Sequence, residues 1–311
     1  MNNLNQLKKT TFCPICNCSK FKNLGRIKNI SENLDNNFSL LNYLYDESYI
    51  VPKELDNVFD LIQCLLCQHC CLSLIPDQKF LDDLYRNGSS YLAHDTEQEL
   101  IKKKQFIGKK LDGVNPDFNH WIFKYLQNSK PGKYFEVGPG TCVLFKTFKL
   151  KDWICEGYEL KSWITDKDIF NFFDKIPKDK KDVIVMQDVL EHVANPKEFL
   201  TSFSFFLKKT GFLFLTFPNA SSYRAKIFKT KWRMITPLNH INFFSKKSIT
   251  RLLGDCGYKL ISAKAVSMVD LRKLTKSIFK LPIIIILDLI KLDFHKAIRQ
   301  ISEIIINIID L

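Results

Sequence analysis

Two glycines one residue apart, Gly138 and Gly140, end a short apolar run and could receive a ligand against the backbone. Glycine has no Cβ, so a ligand can approach the chain more closely there than at other residues. An acid, Glu159, follows the next strand-like run about 20 positions on, the spacing typical of a carboxylate that binds a ribose diol. A dinucleotide site would need a third glycine at position 143, where the chain has Val143. The pattern favours a nucleotide-type cofactor without a pyrophosphate.

Two pairs of cysteines, each with two residues between its members, could bind a metal. Two thiolates on one tight turn that faces a second such turn give the tetrahedral sulfur coordination that zinc prefers. Because four thiolates leave no position for water, such an ion would be structural. The expected ligands are Cys13, Cys16, Cys64 and Cys67. Four neighbours could substitute for one of them: Cys18, His69, Cys70 and Cys71.

Composition limits the possible classes of protein. The chain has 311 residues and a net charge of +13, and its apolar content is ample for a packed core, which excludes a disordered chain. The charge peaks at five lysines: Lys102, Lys103, Lys104, Lys109 and Lys110. Aromatic residues do not interleave with them, so a solvated surface is favoured over a nucleic-acid groove. An anionic small substrate is compatible with either interpretation.

The two ends of the chain bear on its compartment. Met1 to Lys9 is polar and lacks the apolar core of a secretory signal, so we expect the cytoplasm. Ten cysteines in that compartment indicate metal binding or burial and not disulfides. Near the other end, the apolar run Leu281 to Ile290 contains Pro282 and Asp288 and is too short to span a bilayer. We expect a buried helix there, with peripheral membrane contact as the alternative.

Strand and helix patterns alternate in the middle of the chain. The predicted elements are a helix over Phe118–Asn128, strands at Lys133–Val137, Trp153–Tyr158, Val183–Met186 and Phe212–Phe217, and helices from Thr141 and over Pro196–Lys208. Ser245 then caps a helix that Gly257 ends, and a strand follows over Tyr258–Val266. Such alternation predicts an α/β fold, a Rossmann-like parallel sheet with helices on both faces.

The predicted division of the chain has four parts. Residues 1–76 form a small N-terminal zinc-binding module, and 77–117 form a helical linker that caps the main domain. Residues 118–266 form the Rossmann-like domain, and 267–311 form an apolar helical tail.

Five blocks in this order resemble the class I S-adenosylmethionine-dependent methyltransferases that carry an N-terminal zinc-binding module. The similarity extends from Cys13 to about Val266. The blocks are Glu136–Gly140, Glu159, Asp182–Val193 with Asn195-Pro196, Phe217–Asn219 and His240–Ser245. A single G-x-G would be weak evidence, whereas five ordered blocks between predicted strands are specific.

The resemblance implies S-adenosylmethionine as cofactor and assigns residues to it. The loop Gly138-Pro139-Gly140 would lie against its methionine half, and Glu159 would hold the ribose hydroxyls. Gln187 and Asp188 would line the crevice beside the sulfonium. Glu136 would orient the loop or the amino group, or would structure the loop without touching a ligand.

Methyl transfer is an in-line displacement, so a hydroxyl acceptor must be positioned and must lose its proton. The family's motifs bring two candidate bases near the crevice, His240 and His192, and either could instead be structural. In some similar O-methyltransferases of quinone pathways a block matching Asp188, Glu191 and His192 holds a divalent ion. The alternative is a helix-start acid with a packed histidine.

The chain departs from the family pattern at three places. Cys142 replaces the third glycine. The segment between Glu159 and Asp182 is shorter than the family's usual helix and strand, which alters the expected adenine pocket; Trp163, Ile164, Phe172 or Phe173 could still stack on the ring. Residues 267–311 look like two apolar helices. The sheet therefore lacks its last antiparallel strand, or Glu303–Asp310 supplies it.

The resemblance favours a small-molecule methyltransferase acting on a sugar, a nucleotide sugar or a surface-polysaccharide precursor, since relatives with this module are often of that kind. An RNA methyltransferase is the alternative, with the module and the basic surface binding phosphates. A non-catalytic scaffold with the same fold is a third possibility, against which Gly138, Gly140 and Glu159 speak.

Overall fold

The described part of the N-terminal module contains five short strands around the two cysteine pairs. The computed structural model describes residues 7–27, 58–86, 116–140, 142–160, 166–232, 234–237, 239–265 and 304–310. The strands of the module are β1 Leu7–Lys9, β2 Phe21–Arg26, β3 Asp60–Cys64, β4 Cys70–Leu72 and β5 Leu74–Pro76. Strand β3 pairs antiparallel with β2 and β4, and β1 pairs with β5. The turn between β3 and β4 therefore carries the second cysteine pair.

The main domain alternates strand and helix as the sequence predicts. The linker contributes α1 Gln78–Arg86, and the first half of the main domain contains α2 Pro116–Tyr125, β6 Lys133–Val137, α3 Val143–Lys149, β7 Ile154–Tyr158, β8 Ile169–Phe170, β9 Lys181–Gln187, α4 Pro196–Ser204 and β10 Leu207–Thr216. Strands β8, β7, β6, β9 and β10 lie side by side in this order and run parallel. The parallel sheet confirms the predicted α/β, Rossmann-like class.

The predicted end of the helix from Pro196 and the predicted start of the following strand at Phe212 are both wrong. Helix α4 ends at Ser204, not Lys208, and β10 begins at Leu207. The amide of Lys181 donates to the Phe206 carbonyl at 2.7 Å, and the fully buried Leu207 pairs with Lys181. Pairing with β9, which apolar spacing does not reveal, ends the helix early.

The second half of the domain completes the sheet. It contains α5 Tyr223–Phe228, β11 Asn242–Phe243, α6 Lys246–Asp255, β12 Tyr258–Ala265 and β13 Ile304–Asp310. Strand β13 lies antiparallel between β10 and β12, which gives the seven-stranded order β12-β13-β10-β9-β6-β7-β8. The helical tail predicted for 267–311 is therefore wrong over these seven residues. The alternative that Glu303–Asp310 supplies the antiparallel strand is confirmed.

Helix α6 shows the predicted caps. The Ser245 hydroxyl accepts the Ser248 amide at 3.1 Å, and the Ser248 hydroxyl accepts the Ser245 amide at 2.9 Å, which makes a capping box. Gly257 then takes a φ of +81°, the left-handed conformation that ends helices. Both ends of helix α6 therefore lie where the sequence predicts them.

Alternate side chains of the central strands pack on opposite faces of the sheet. In β9, Ile184 and Met186 join a core with Leu200 of α4. Val183 and Val185 join a second core, which contains Phe145 of α3. Both faces are covered, as a buried parallel sheet requires.

The N-terminal module and the main domain share a sheet. Strand β11 pairs with β4, so the module's four-stranded sheet has the order β11-β4-β3-β2. The Leu72 amide donates to the Ile241 carbonyl at 3.2 Å, next to this pairing. The residues that precede β11, including His240, are therefore held by the module.

Several predicted features lie outside the described residues. They are the lysine cluster of residues 102–110, Trp163, Ile164, the first residue of the predicted helix at Thr141, and the tail over 266–303 with its apolar run. Within the described ranges, no helix has the length and apolar character needed to cross a bilayer.

Candidate functional site

The glycine loop after β6 has the backbone geometry that only glycine adopts easily. Gly138 and Gly140 have φ values of +68° and +47°. A Cβ on Gly138 would lie 3.0 Å from Cγ2 of Val189, so a larger residue there would require Val189 to move. Cys142, at the position of the family's third glycine, also takes a positive φ of 59°. The residue that departs from the family pattern thus adopts a left-handed conformation.

Glu159 lies beside this loop, as predicted. Strands β6 and β7 are parallel, with Val137 opposite Tyr158, so the residues that follow the two strands are neighbours. The Gly140 amide donates to Oε2 of Glu159 at 3.2 Å, and the Glu159 side chain is buried. Asn171 donates to the Glu159 backbone carbonyl at 2.9 Å, which fixes the chain at this point.

A cavity of about 550 Å³ opens at the carboxyl ends of β6, β7 and β9. This edge of a doubly wound sheet is where ligands bind. Its lining includes Gly138, Gly140, Glu159, Asp188, Val189 and His192. Of the predicted cofactor-binding residues, Pro139, Gln187 and Glu136 do not line it.

Asp188 presents its carboxylate to the cavity. Its φ is +52°, and its Oδ1 accepts the Thr216 hydroxyl at 3.0 Å. The side chain is exposed to the cavity, while protein surrounds it on the other sides. That desolvation raises its pKa to about 6, against the opposing effect of the Thr216 hydrogen bond. Asp188 is consequently mostly ionised at neutral pH and places a negative charge at the cavity wall.

The Glu136 side chain does not line the cavity and is buried beside α3. The Tyr134 hydroxyl donates to its Oε2 at 2.7 Å, and the Phe145 amide of α3 donates to the same carboxyl group. Burial raises its pKa to about 8, an effect that the Tyr134 hydrogen bond opposes. The position agrees with the alternative in which this acid structures the loop without touching a ligand.

Helix α1 covers one side of the cavity, as the predicted cap does. Gln78, Asp82 and Tyr85, at positions i, i+4 and i+7, line the cavity from one face of this helix. The resemblance assigns no role to these three residues. Their spacing on one face of a helix is the sequence signal that could have identified them as neighbours. Of the two described candidates for an adenine stack, Phe173 lines the cavity, whereas Phe172 lies under the Arg86 guanidinium at 4.7 Å.

The two candidate bases lie next to each other. The ring centroids of His192 and His240 are 4.8 Å apart, and His192 is the one that lines the cavity. Nδ1 of His192 lies 2.6 Å from the Asn239 carbonyl and 2.7 Å from the Tyr85 hydroxyl. Nδ1 of His240 lies 2.7 Å from the Met234 carbonyl. Both rings are thereby held by the loop that precedes β11.

The four predicted zinc ligands come together in the N-terminal module. Their Sγ atoms all lie within 4.8 Å of one another, with Cys13 to Cys67 and Cys16 to Cys64 each at 3.5 Å. Zinc–sulfur bonds of about 2.3 Å put tetrahedral ligands about 3.8 Å apart, so the donor set fits Zn²⁺. The four substitutes considered from the sequence, Cys18, His69, Cys70 and Cys71, are not part of this group.

Comparison with known proteins gives a family. A family model described as "Methyltransferase domain" matches residues 93–263. An uncharacterized protein of Methanocaldococcus jannaschii is 25% identical over 150 residues, which are 47% of this chain and 73% of that protein.

Solved structures with a similar fold are more distant. A SAM-dependent methyltransferase from Archaeoglobus fulgidus has 12% identity and a TM-score of 0.46, over 65% of this chain and 97% of that one. A magnesium protoporphyrin IX methyltransferase from Synechocystis with bound SAH has 13% identity and a TM-score of 0.46, over 76% and 100%. At these values the family rests on the family model and not on the structural likeness.

Proposed function

Since the chain belongs to the methyltransferase-domain family, we propose that it transfers the methyl group of S-adenosylmethionine to a small polar molecule. The family model covers more than half of the chain and confirms the methyltransferase predicted from the sequence. The cofactor's position and the class of acceptor are our proposal.

The proposed cofactor site rests on one observation: the glycine loop and a buried carboxylate line the same cavity. Gly138 and Gly140 would lie against the methionine half, because no Cβ stands between the ligand and the backbone. Glu159 would accept hydrogen bonds from the ribose hydroxyls. Its carboxylate accepts the Gly140 amide at the edge of the cavity, and a carboxylate can accept several hydrogen bonds at once.

Asp188 would face the positively charged half of the cofactor. A carboxylate ionised at neutral pH attracts the sulfonium and the amino group of S-adenosylmethionine. After transfer the sulfonium becomes a neutral thioether, so this attraction weakens for the product. The charge at Asp188 therefore favours binding of the cofactor over its product.

The acceptor we favour is a sugar, a nucleotide sugar or a related precursor. Polar side chains from α1, namely Gln78, Asp82 and Tyr85, form one wall of the cavity. A few convergent polar groups in a concave site suit a small hydroxylated ligand. The acceptor oxygen would be placed at His192, the imidazole of the pair that lines the cavity.

The four cysteines would hold a structural zinc ion. Proximity to Cys13 and burial both raise the pKa of the Cys67 thiol, so four thiolates need a cation to coexist there. The ion would fix the turn between β3 and β4. Strand β4 in turn pairs with β11, next to the histidine loop.

The test combines cofactor binding with methyl transfer. Calorimetry with S-adenosylmethionine on the purified protein is expected to show one site. Labelled S-adenosylmethionine is then offered with separate pools of sugar nucleotides and of RNA, and label is expected in the sugar-nucleotide pool. Label in RNA, with transfer that falls steeply as salt rises, would overturn the small-molecule proposal.

A further inference from the structure

Three metal-ligating side chains meet beside the cofactor cavity, apart from the cysteine cluster. Glu191, His192 and His240 each offer one ligand atom, and these atoms lie within 4.8 Å of one another. Two imidazole nitrogens and one carboxylate form a donor set that zinc uses in catalytic sites, where a fourth position stays open. The Glu191 side chain is 1% exposed, so the group is largely built into the protein.

The backbone orients both imidazoles in the way a metal site requires. A carbonyl oxygen only accepts, so Nδ1 of His192 donates to Asn239 O, and Nδ1 of His240 donates to Met234 O. In each neutral ring the lone pair is then on Nε2. Metal-bound histidines commonly hold their other nitrogen on such a carbonyl, which fixes the tautomer and the ring direction.

The separations suit a small cation after a modest adjustment. Nε2 of His192 lies 3.9 Å from Oε1 of Glu191. Bonds of about 2.0–2.1 Å place tetrahedral ligands about 3.4 Å apart, so side-chain movements of about 1 Å would bring the donor atoms to these separations. The Ile241 amide donates to the Glu191 carbonyl at 2.9 Å, which keeps the two contributing loops together.

Asp188 is not part of this group. Its carboxylate accepts the Thr216 hydroxyl, and it is absent from the described clusters whose donor atoms converge. The sequence alternative of Asp188, Glu191 and His192 is thus replaced in the structure by a set with His240. That residue comes from a loop about 50 positions further along the chain.

We propose that Glu191, His192 and His240 bind a divalent cation, with Zn²⁺ the best fit to the donors. The open position would face the cavity, because His192 lines it, and would receive an oxygen of the methyl acceptor. A hydroxyl bound to the ion releases its proton to solvent more readily. The oxygen then bonds to the methyl carbon as the carbon–sulfur bond breaks. This role of the ion in methyl transfer rests on the proposed function, whereas binding of the ion does not.

The experiment counts metal ions in the full-length protein. The metal-free protein is titrated with Co²⁺, and binding is followed by calorimetry and by visible absorption, which separates a thiolate site from a nitrogen–oxygen site. Two equivalents are expected. Glu191→Gln and His240→Asn should each lose the nitrogen–oxygen equivalent and keep the thiolate one, which also reports that the module is folded. Asparagine retains a donor for the Met234 carbonyl and removes Nε2.

Asp188→Asn is the matched control and should keep both equivalents. One equivalent in the unaltered protein, or two in Glu191→Gln and His240→Asn, would overturn the proposal. Loss of the second equivalent in Asp188→Asn would overturn the ligand assignment. A protein that binds the second ion but not S-adenosylmethionine would instead refute the proposed function.

Discussion

Nε2 of His69 donates a hydrogen bond to the side-chain oxygen of Asn242 at 2.9 Å, across the boundary between the N-terminal module and the main domain. The side-chain nitrogen Nδ2 of Asn242 in turn donates to the Val193 carbonyl at 2.6 Å. Both side chains are fully buried. One asparagine thus joins the cysteine module to the segment that carries Glu191 and His192.

Asn242→Ala should lower the free energy of unfolding. The change leaves the His69 imidazole and the Val193 carbonyl buried without this partner, at about 1–3 kcal/mol for each. Urea denaturation monitored by circular dichroism measures the difference. Ser204→Ala, which removes an exposed hydrogen bond to Thr201, serves as control and should change stability by less than about 0.5 kcal/mol. Equal stabilities for the two variants would contradict the proposed link.

Gly138→Val should abolish binding of S-adenosylmethionine while the zinc module stays folded. A β-branched residue is strained at a φ of +68°, and its Cβ would approach Val189 to 3.0 Å at the edge of the cavity. Calorimetry gives the affinity, and bound zinc reports the module. The control is Gly254→Ala, where a Cβ meets nothing within 4 Å. Unchanged affinity in Gly138→Val would refute the placement of the cofactor.

Cys13→Ser and Cys67→Ser should each lose the thiolate-bound zinc, about one ion per chain, and should melt at a lower temperature. The reason is that each removes one of four convergent sulfur ligands. Metal analysis after dialysis gives the ion count. Cys155→Ser, at a buried cysteine outside the cluster, is the control and should keep its zinc. A stably folded protein that never contains this ion would count against the site.

Glu136→Gln should change how stability depends on pH. Burial raises the pKa of Glu136 from 4.5 to about 8 in the folded protein, so the unfolded chain releases this proton first as pH rises. The carboxyl group therefore costs stability progressively between about pH 4.5 and pH 8. Glutamine keeps an acceptor for the Tyr134 hydroxyl and has no proton to lose.

Denaturation at a series of pH values checks this prediction through the difference between variant and unaltered protein. The stability of the variant relative to the unaltered protein should rise across that interval and level off above it. A difference that stays constant with pH would show that Glu136 does not titrate with a raised pKa.

Local sequence signals predicted much of the fold. The capping of α6 by Ser245 and its end at Gly257 depend on residues within a few positions of one another. The starts of β10 and β13 depend on partner strands far along the chain, and an isoleucine-rich run such as 304–310 suits either a helix or a buried strand. Pairing with neighbouring strands makes this run a strand and not a helix.

The same distinction holds for the candidate site. Gly138, Gly140 and Glu159 could be predicted because adjacent parallel strands bring their ends together. The contact of Tyr85 with His192, and the convergence of His240 on Glu191, depend on how separate segments pack. The spacing of residues within one segment does not predict contacts between separate segments.

Strand β13 has a consequence for how the molecule assembles. Because it lies between β10 and β12, a growing polypeptide cannot close its sheet until residue 310 has left the ribosome. Until then both flanking strands present open edges to other molecules in a crowded cell. The sheet thus closes only after both flanking strands have been made, and a deletion within residues 304–310 would separate β10 from β12.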